Sequence, residues 1–275
     1  MNQLLAINWD VAPHIFKLDN GFEIRWYGLL FASAFLIGQS VMLRIFRVEG
    51  KPEQDLESLT LYMVISTVVG ARLGHCLFYD PEYYFSDPIR ILKIYEGGLA
   101  SHGGAAGILS GLWLFARNKS YSYMWILDRI VIVVALGGAF IRFGNLMNSE
   151  IVGLPTDLPW AFVFENSISL SPEERLIPRH PAQLYESISC LILFVFLYLR
   201  YWNWKDSLPK GRFLGIFLIY VFGLRIFYEF LKENQVEFES GLQASLGLNM
   251  GQILSIPLVL VGIYITAKSF GQSSE

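Results

Sequence analysis

Long apolar runs separated by short polar stretches dominate this chain, and the runs have the length of membrane-crossing helices. A helix needs roughly 20 mostly apolar residues to cross the hydrocarbon core of a bilayer. Seven runs qualify, at about 24–43, 57–79, 98–116, 124–145, 186–204, 212–231 and 250–268. The third is the weakest, being rich in Gly and Ala and containing His102. Small residues let helices approach closely in lipid, so it fits a packed interior span. The pattern predicts an all-α polytopic membrane protein of about seven transmembrane helices, one membrane domain over 1–275. The longest connection, 146–185, carries Pro155, Pro159, Pro172, Pro178 and Pro181 with Asp157, Glu165, Glu173 and Glu174. A connection of that length is functional or a small extra structure, here an extracytoplasmic head between helices four and five. No internal repeat is visible, which weakens an inverted-repeat transporter reading.

Composition agrees with the bilayer and narrows the classes. Of 275 residues, 53% are hydrophobic and only 16% charged, where a soluble domain carries about 25% charged residues. The net charge of −3 provides no basic field, and no nucleic-acid motif is present. The two cysteines, Cys76 and Cys190, sit in apolar runs and read as small buried hydrophobes. The N-terminal stretch lacks the basic start and cleavage pattern of a signal peptide, so the first apolar run is expected to be retained.

Charge in the connections sets an expected orientation. With the N-terminus outside, the inner connections hold Arg44, Arg47, Lys51, Arg117, Lys119, Arg200, Lys205, Lys210 and Arg212. The outer ones hold fewer cations, spread over longer stretches. The positive-inside rule therefore favours N-terminus out and C-terminus cytoplasmic.

Ionisable groups inside apolar segments are costly and tend to be kept for function. In RFGNLMNSEIVG (142–153), Arg142, Asn145, Asn148 and Glu150 crowd one span end. A guanidinium with amide neighbours suits a phosphate or other oxyanion. A snorkelling interfacial arginine is the plainer reading, but four strongly polar side chains exceed what anchoring needs. His102, in GGLASHGGAAG (97–107), stands among small residues that leave space for a backbone or ligand. It is either a general base or a histidine bonded to a neighbouring helix. Arg225 lies deep in FLIYVFGLRIFYEFL (217–231), with Glu229 four residues on. The two either form only a local ion pair that lowers the cost of both, or Glu229 orients Arg225 toward an anion shared with Arg142, which is the favoured reading. Arg179 and His180, ahead of the fifth span, either serve substrate or cap a helix. Arg72 and His75 are supporting candidates, and Asp128 with Arg129 look like an interfacial pair.

Together these stretches resemble the bacterial prolipoprotein diacylglyceryl transferases. The likeness runs through RWYG (25–28), GARLG (70–74), EGGLASHGGAAG (96–107), RFGNLMNSEIVG (142–153), RHPAQLYE (179–186), GLRIFYEFL (223–231) and MGQILSIP (250–257), in the expected order over nearly the whole chain. The resemblance implies a transferase of the bacterial inner membrane. It would move the diacylglyceryl group of phosphatidylglycerol to the lipobox cysteine thiol of a prelipoprotein signal peptide. The product is a thioether, glycerol phosphate leaves, and lipoprotein maturation begins. By the same likeness, His102, Arg142 and Arg225 are expected as catalytic residues. Tyr27, Asn145, Glu150, Gly153 and Glu229 are expected at the substrate, with no metal and no cofactor. Two departures stand out: Val221 occupies a position where members often carry tyrosine, with Tyr220 beside it, and Ser149 stands where some have glycine. The rival reading is a transporter or channel for a small anion, with Arg142 and Arg225 lining its path. An intramembrane protease is set aside, since neither GxSG nor HExxH occurs.

Overall fold

The computed structural model describes residues 6–19, 23–205, 207–232 and 247–271. The expected placement of the two chain ends concerns 1–5 and 272–275, which lie outside the described residues. Every one of the seven apolar runs is a helix: α1 (Trp26–Val48), α2 (Glu53–Phe78), α4 (Ser101–Asn118), α5 (Tyr123–Met147), α6 (Ala182–Trp204), α7 (Arg212–Tyr228) and α8 (Met250–Phe270). A short α3 (Pro81–Ser86) follows α2, and a 3-10 turn, Glu229–Leu231, extends α7. Among the described residues, six helices are long and apolar enough to cross a membrane. The exception is α4, whose glycines, His102 and polar C-terminal end dilute its apolar content.

Local chemistry sets several helix ends. Pro52 precedes α2, and Glu53 and Asp55 place carboxylates in its first turn, against the positive end of the helix dipole. A capping box opens α8: the Asn249 side chain accepts from Gln252 N at 2.9 Å, and Gln252 Oε1 accepts from Asn249 N at 3.0 Å. Among the described residues, four strands add a small β component that the apolar pattern does not show. β1 (Ile7–Trp9) pairs in parallel with β4 (Phe162–Phe164), and β2 (His14–Lys17) pairs antiparallel with β3 (Glu23–Arg25).

The chain divides into two compact units, Met42–Arg129 and the remainder, with the divisions inside α1 and α5. In Met42–Arg129, α2 and α4 pack along two rows of glycine. Gly70 and Gly74 of α2 meet Gly103 and Gly107 of α4, and Gly111 meets Ser66 and Tyr62 one to two turns earlier on α2. A Cβ added to Gly70 would lie 2.5 Å from Gly103 O, and one on Gly107 would collide with Ser66 O. The glycines around His102 therefore let two backbones touch, which is how helices associate where lipid removes the hydrophobic drive. Gly103 and Gly107 are thus the close backbone approach that the small residues beside His102 allow, whereas Gly97 has open space around it. Gly107→Val is expected to destabilise the protein by about 1–3 kcal/mol or more, read as a lowered unfolding temperature in detergent.

A second feature of this unit is Arg72, which is 3% exposed. Its guanidinium donates to Ile91 O at 2.9 Å, Lys93 O at 3.1 Å, Gly98 O at 3.2 Å and Tyr84 Oη at 3.1 Å, and also to the carbonyls of Arg90 and Gly97. One buried cation thus gathers the connection that leads into α4. Gly97 and Gly98 adopt φ of +86° and +76° to follow this path. At the other end of the unit, Arg129 pairs with Glu49 at 2.9 Å and lies over the Trp125 ring. Asp128, the neighbour of Arg129, is fully buried within the protein.

In the remaining unit, 146–185 folds around a small core of Leu146, Val152, Phe162, Phe164 and Leu170, against which Trp9 and Leu184 pack. The N-terminal strand is stitched to it. Trp9 stacks on Phe162 at 5.2 Å, and its indole donates to Leu146 O at 3.0 Å. Arg179, 1% exposed, exchanges backbone hydrogen bonds with Phe162 and donates through Nη1 to Gly153 O at 3.3 Å.

Candidate active site

His102 belongs to the Met42–Arg129 unit. It is exposed in the first turn of α4, directly after the connection that Arg72 holds. The other expected site residues belong to the second unit.

Arg142 lies one turn before the end of α5, and Arg225 in the last turn of α7. They line one cavity of about 190 Å³, whose wall also includes Glu186, Cys190, Tyr220 and Tyr228. The two helices thus bring together the two arginines that the sequence offered for one anion. Each guanidinium has a carboxylate. Arg142 Nε is 2.8 Å from Glu186 Oε2, and Arg225 Nε is 3.5 Å from Glu229 Oε1. Glu229 is fixed further by Asn249, whose Nδ2 donates to its Oε2 at 3.0 Å. The capping residue of α8 therefore also holds the carboxylate that orients Arg225. Tyr220 and Val221 both line the cavity, so Tyr220 supplies a phenol on the wall where Val221 has none.

The stretch after Arg142 turns sharply. Ser149 and Ile151 have φ of +52° and +57°, in the left-handed region that costs a β-branched residue most. A glycine in place of Ser149 would suit that backbone. The turn is held by its own polar groups and by Gln183 of α6. Asn145 Nδ2 donates to Glu150 Oε1 at 2.7 Å, Asn148 Nδ2 to the same oxygen at 3.3 Å, and Gln183 Nε2 to Glu150 O at 2.6 Å. Asn145 and Asn148 thus converge on Glu150, whereas Arg142 reaches Glu186. The polar crowd of 142–153 serves two centres instead of a single cradle. The Asn145 Oδ1 and Gln183 Oε1 atoms are buried and carry no hydrogen bond among the described residues.

Tyr27, in the first turn of α1, packs on α5 where Gly144 allows it; a Cβ there would lie 2.8 Å from the Tyr27 ring. Gly153 is another close approach. Its own N donates to His180 O at 3.1 Å, and an added Cβ would lie 2.5 Å from that oxygen and 2.9 Å from Leu231 O. Gly153 also bridges to Lys232 by backbone pairing, which ties this turn to the end of α7. His180 is half-buried and its Nδ1 lies 3.4 Å from Tyr185 Oη. Burial pushes its imidazole below the ordinary histidine range, so near neutral pH it offers an anion no charge.

Two charged residues of this centre were not singled out in the sequence. Glu186 ends the RHPAQLYE stretch in the second turn of α6, and at the first residue of an apolar run it reads as an ordinary span end. Lys232 follows the last turn of α7, where a lysine looks like an interfacial cation.

A family model described as prolipoprotein diacylglyceryl transferase matches residues 13–268. A phosphatidylglycerol–prolipoprotein diacylglyceryl transferase of Chloroherpeton thalassium is 45% identical over 268 residues, covering 97% of this chain and 96% of that protein. A protein of the same name from Tolumonas auensis is 46% identical over 262 residues, covering 95% and 96%. One from Bacteroides fragilis is 45% identical over 275 residues, covering 96% and 95%. Identity at that level over almost the full length of each protein is more than shared apolar composition produces, and the chain belongs to the prolipoprotein diacylglyceryl transferase family.

Proposed function

We propose that the chain transfers the diacylglyceryl group of phosphatidylglycerol to the lipobox cysteine of prelipoproteins. Besides the family, the observation that carries this reading is the cavity that Arg142 and Arg225 share. In the reaction the cysteine S–H gives up its proton, and the thiolate sulfur attacks the glycerol carbon bonded to the phosphate oxygen. The C–S bond forms and the C–O bond breaks. The electron pair leaves on the phosphate, so a singly charged diester becomes a doubly charged glycerol phosphate. Negative charge therefore accumulates on the phosphate through the transition state. Fixed cations in a water-poor site stabilise such developing charge most effectively. Arg142 and Arg225 take that role, and Glu186 and Glu229 orient them. A thiol with an ordinary pKa of about 8.5 is mostly protonated at neutral pH. His102 is the base assigned to that proton. Tyr27, Asn145, Glu150 and Gly153 shape the substrate side of the α5 end.

On this reading α4 completes a set of seven spans in a single inner-membrane domain. The N-terminus is outside, the C-terminus is cytoplasmic, and 146–185 forms an outward head where signal peptides arrive. The direct test is purified protein in vesicles of phosphatidylglycerol with a lipobox peptide. The expected result is a peptide heavier by one diacylglyceryl group, dependent on its cysteine. An unmodified peptide together with anion flux across the vesicle would favour the channel reading instead.

A further inference from the structure

The two arginines of the cavity are connected through a residue that does not line it. Lys232 is 5% exposed at its side chain, and its ammonium sits 2.5 Å from Glu186 Oε1 and 3.4 Å from Glu229 Oε1. Those two carboxylates are the partners of Arg142 and Arg225. The result is one continuous chain, Arg142–Glu186–Lys232–Glu229–Arg225, built from α5, α6 and the end of α7. Lys232 is also fixed through its backbone, paired with Gly153, while Leu231 O accepts from Leu154 N at 2.8 Å.

The charges of this chain are unequal, with three cations against two carboxylates. A carboxylate shared between two cations fully neutralises neither of them. Without Lys232, each arginine would face a carboxylate of its own and the five-membered chain would become a neutral four-membered one. A neutral lining has little to offer an anionic lipid, because opposite charges held close together largely cancel each other's field. With Lys232 the set keeps one positive charge, and the two arginines that reach the cavity express it.

We propose that Lys232 is a positioning residue. By engaging Glu186 and Glu229 from behind the cavity wall, it sets the two guanidiniums in place and leaves them positively charged toward the phosphate. The proposal rests on the transferase reading and deepens it, since it names what makes the cavity selective for an anionic phospholipid headgroup.

The test uses the full-length protein in detergent and glycerol phosphate as the probe, measured as a competitive inhibitor of peptide lipidation. Three variants are compared: Lys232→Met, Lys232→Gln and Lys232→Arg. Gln can still donate hydrogen bonds to both carboxylates but carries no charge, and Arg keeps the charge. Lys232→Met and Lys232→Gln are expected to weaken inhibition by glycerol phosphate roughly tenfold or more. KM for phosphatidylglycerol should rise in parallel, while KM for the peptide stays unchanged. Lys232→Arg is expected to remain within about threefold of the parent. If Lys232→Met does not fold, the Gln and Arg variants decide. Unchanged inhibition in Lys232→Gln overturns the proposal. So does an equal loss in Lys232→Gln and Lys232→Arg, because the charge would then not matter. If the parent protein itself lipidates no peptide, the transferase reading fails; the positioning role fails only in an active parent.

Discussion

Arg142→Ala is expected to remove thioether formation almost entirely, with kcat/KM lowered by at least about 10²–10³, the cost of deleting one donor aimed at developing charge. The expected loss is at the upper end for two reasons. The lost group carries a full charge, and its partner Glu186 is 8% exposed and would be left to Lys232 alone. A carboxylate freed in that wall would repel the phosphate as well as fail to hold it. Arg225→Ala should do the same through Glu229. Lysine at either position keeps the charge but loses the planar fork, so an intermediate loss of about tenfold or more is expected. The measurement is the rate of peptide lipidation against phosphatidylglycerol concentration, with a thermal unfolding scan to show that each variant is folded. Full activity of Arg142→Ala and Arg225→Ala would remove both arginines from the reaction.

The helices were readable from the sequence because the bilayer imposes a length, and each apolar run became a helix with ends displaced by a few residues. The weakness expected of the third run was real, and it had a physical cause the spacing already carried. Gly70 and Gly74, and Gly103, Gly107 and Gly111, each recur every four residues and so form one face. What spacing could not supply was pairing at long range. Nothing local in the sequence joins Trp9 to Leu146, Arg72 to the carbonyls of 90–98, or Arg142 to Glu186 and then Lys232. The same limit explains the reading of 142–153. Adjacency along the chain suggested one anion cradle, yet the sharp turn at Ser149 and Ile151 sends Asn145 and Asn148 to Glu150, while Arg142 pairs with Glu186. The site residues named from the sequence were thus those with unusual chemistry in apolar surroundings. The missed ones, Glu186 and Lys232, looked ordinary at the ends of spans.

His102→Ala is expected to lower kcat by about 10²–10⁴, the usual worth of a positioned general base. Its fold should survive, because the α2 and α4 contact is carried by the glycine rows and His102 itself is exposed in the first turn of α4. The helix therefore stays in place when the imidazole is removed, and the loss reports on chemistry. Base and phosphate ligand are the two roles open to this histidine, and they separate by the nucleophile used. A peptide with selenocysteine at the lipobox position presents a selenol, a stronger acid than a thiol and already ionised near neutral pH. If His102 takes the proton, His102→Ala should recover most of its activity on the selenol peptide, and Arg142→Ala should recover none. If His102 binds phosphate, the selenol peptide should leave both variants equally impaired. An imidazole ligand to phosphate would also make glycerol phosphate a weaker inhibitor of His102→Ala, whereas a base acting on the peptide side leaves that inhibition as it is in the parent.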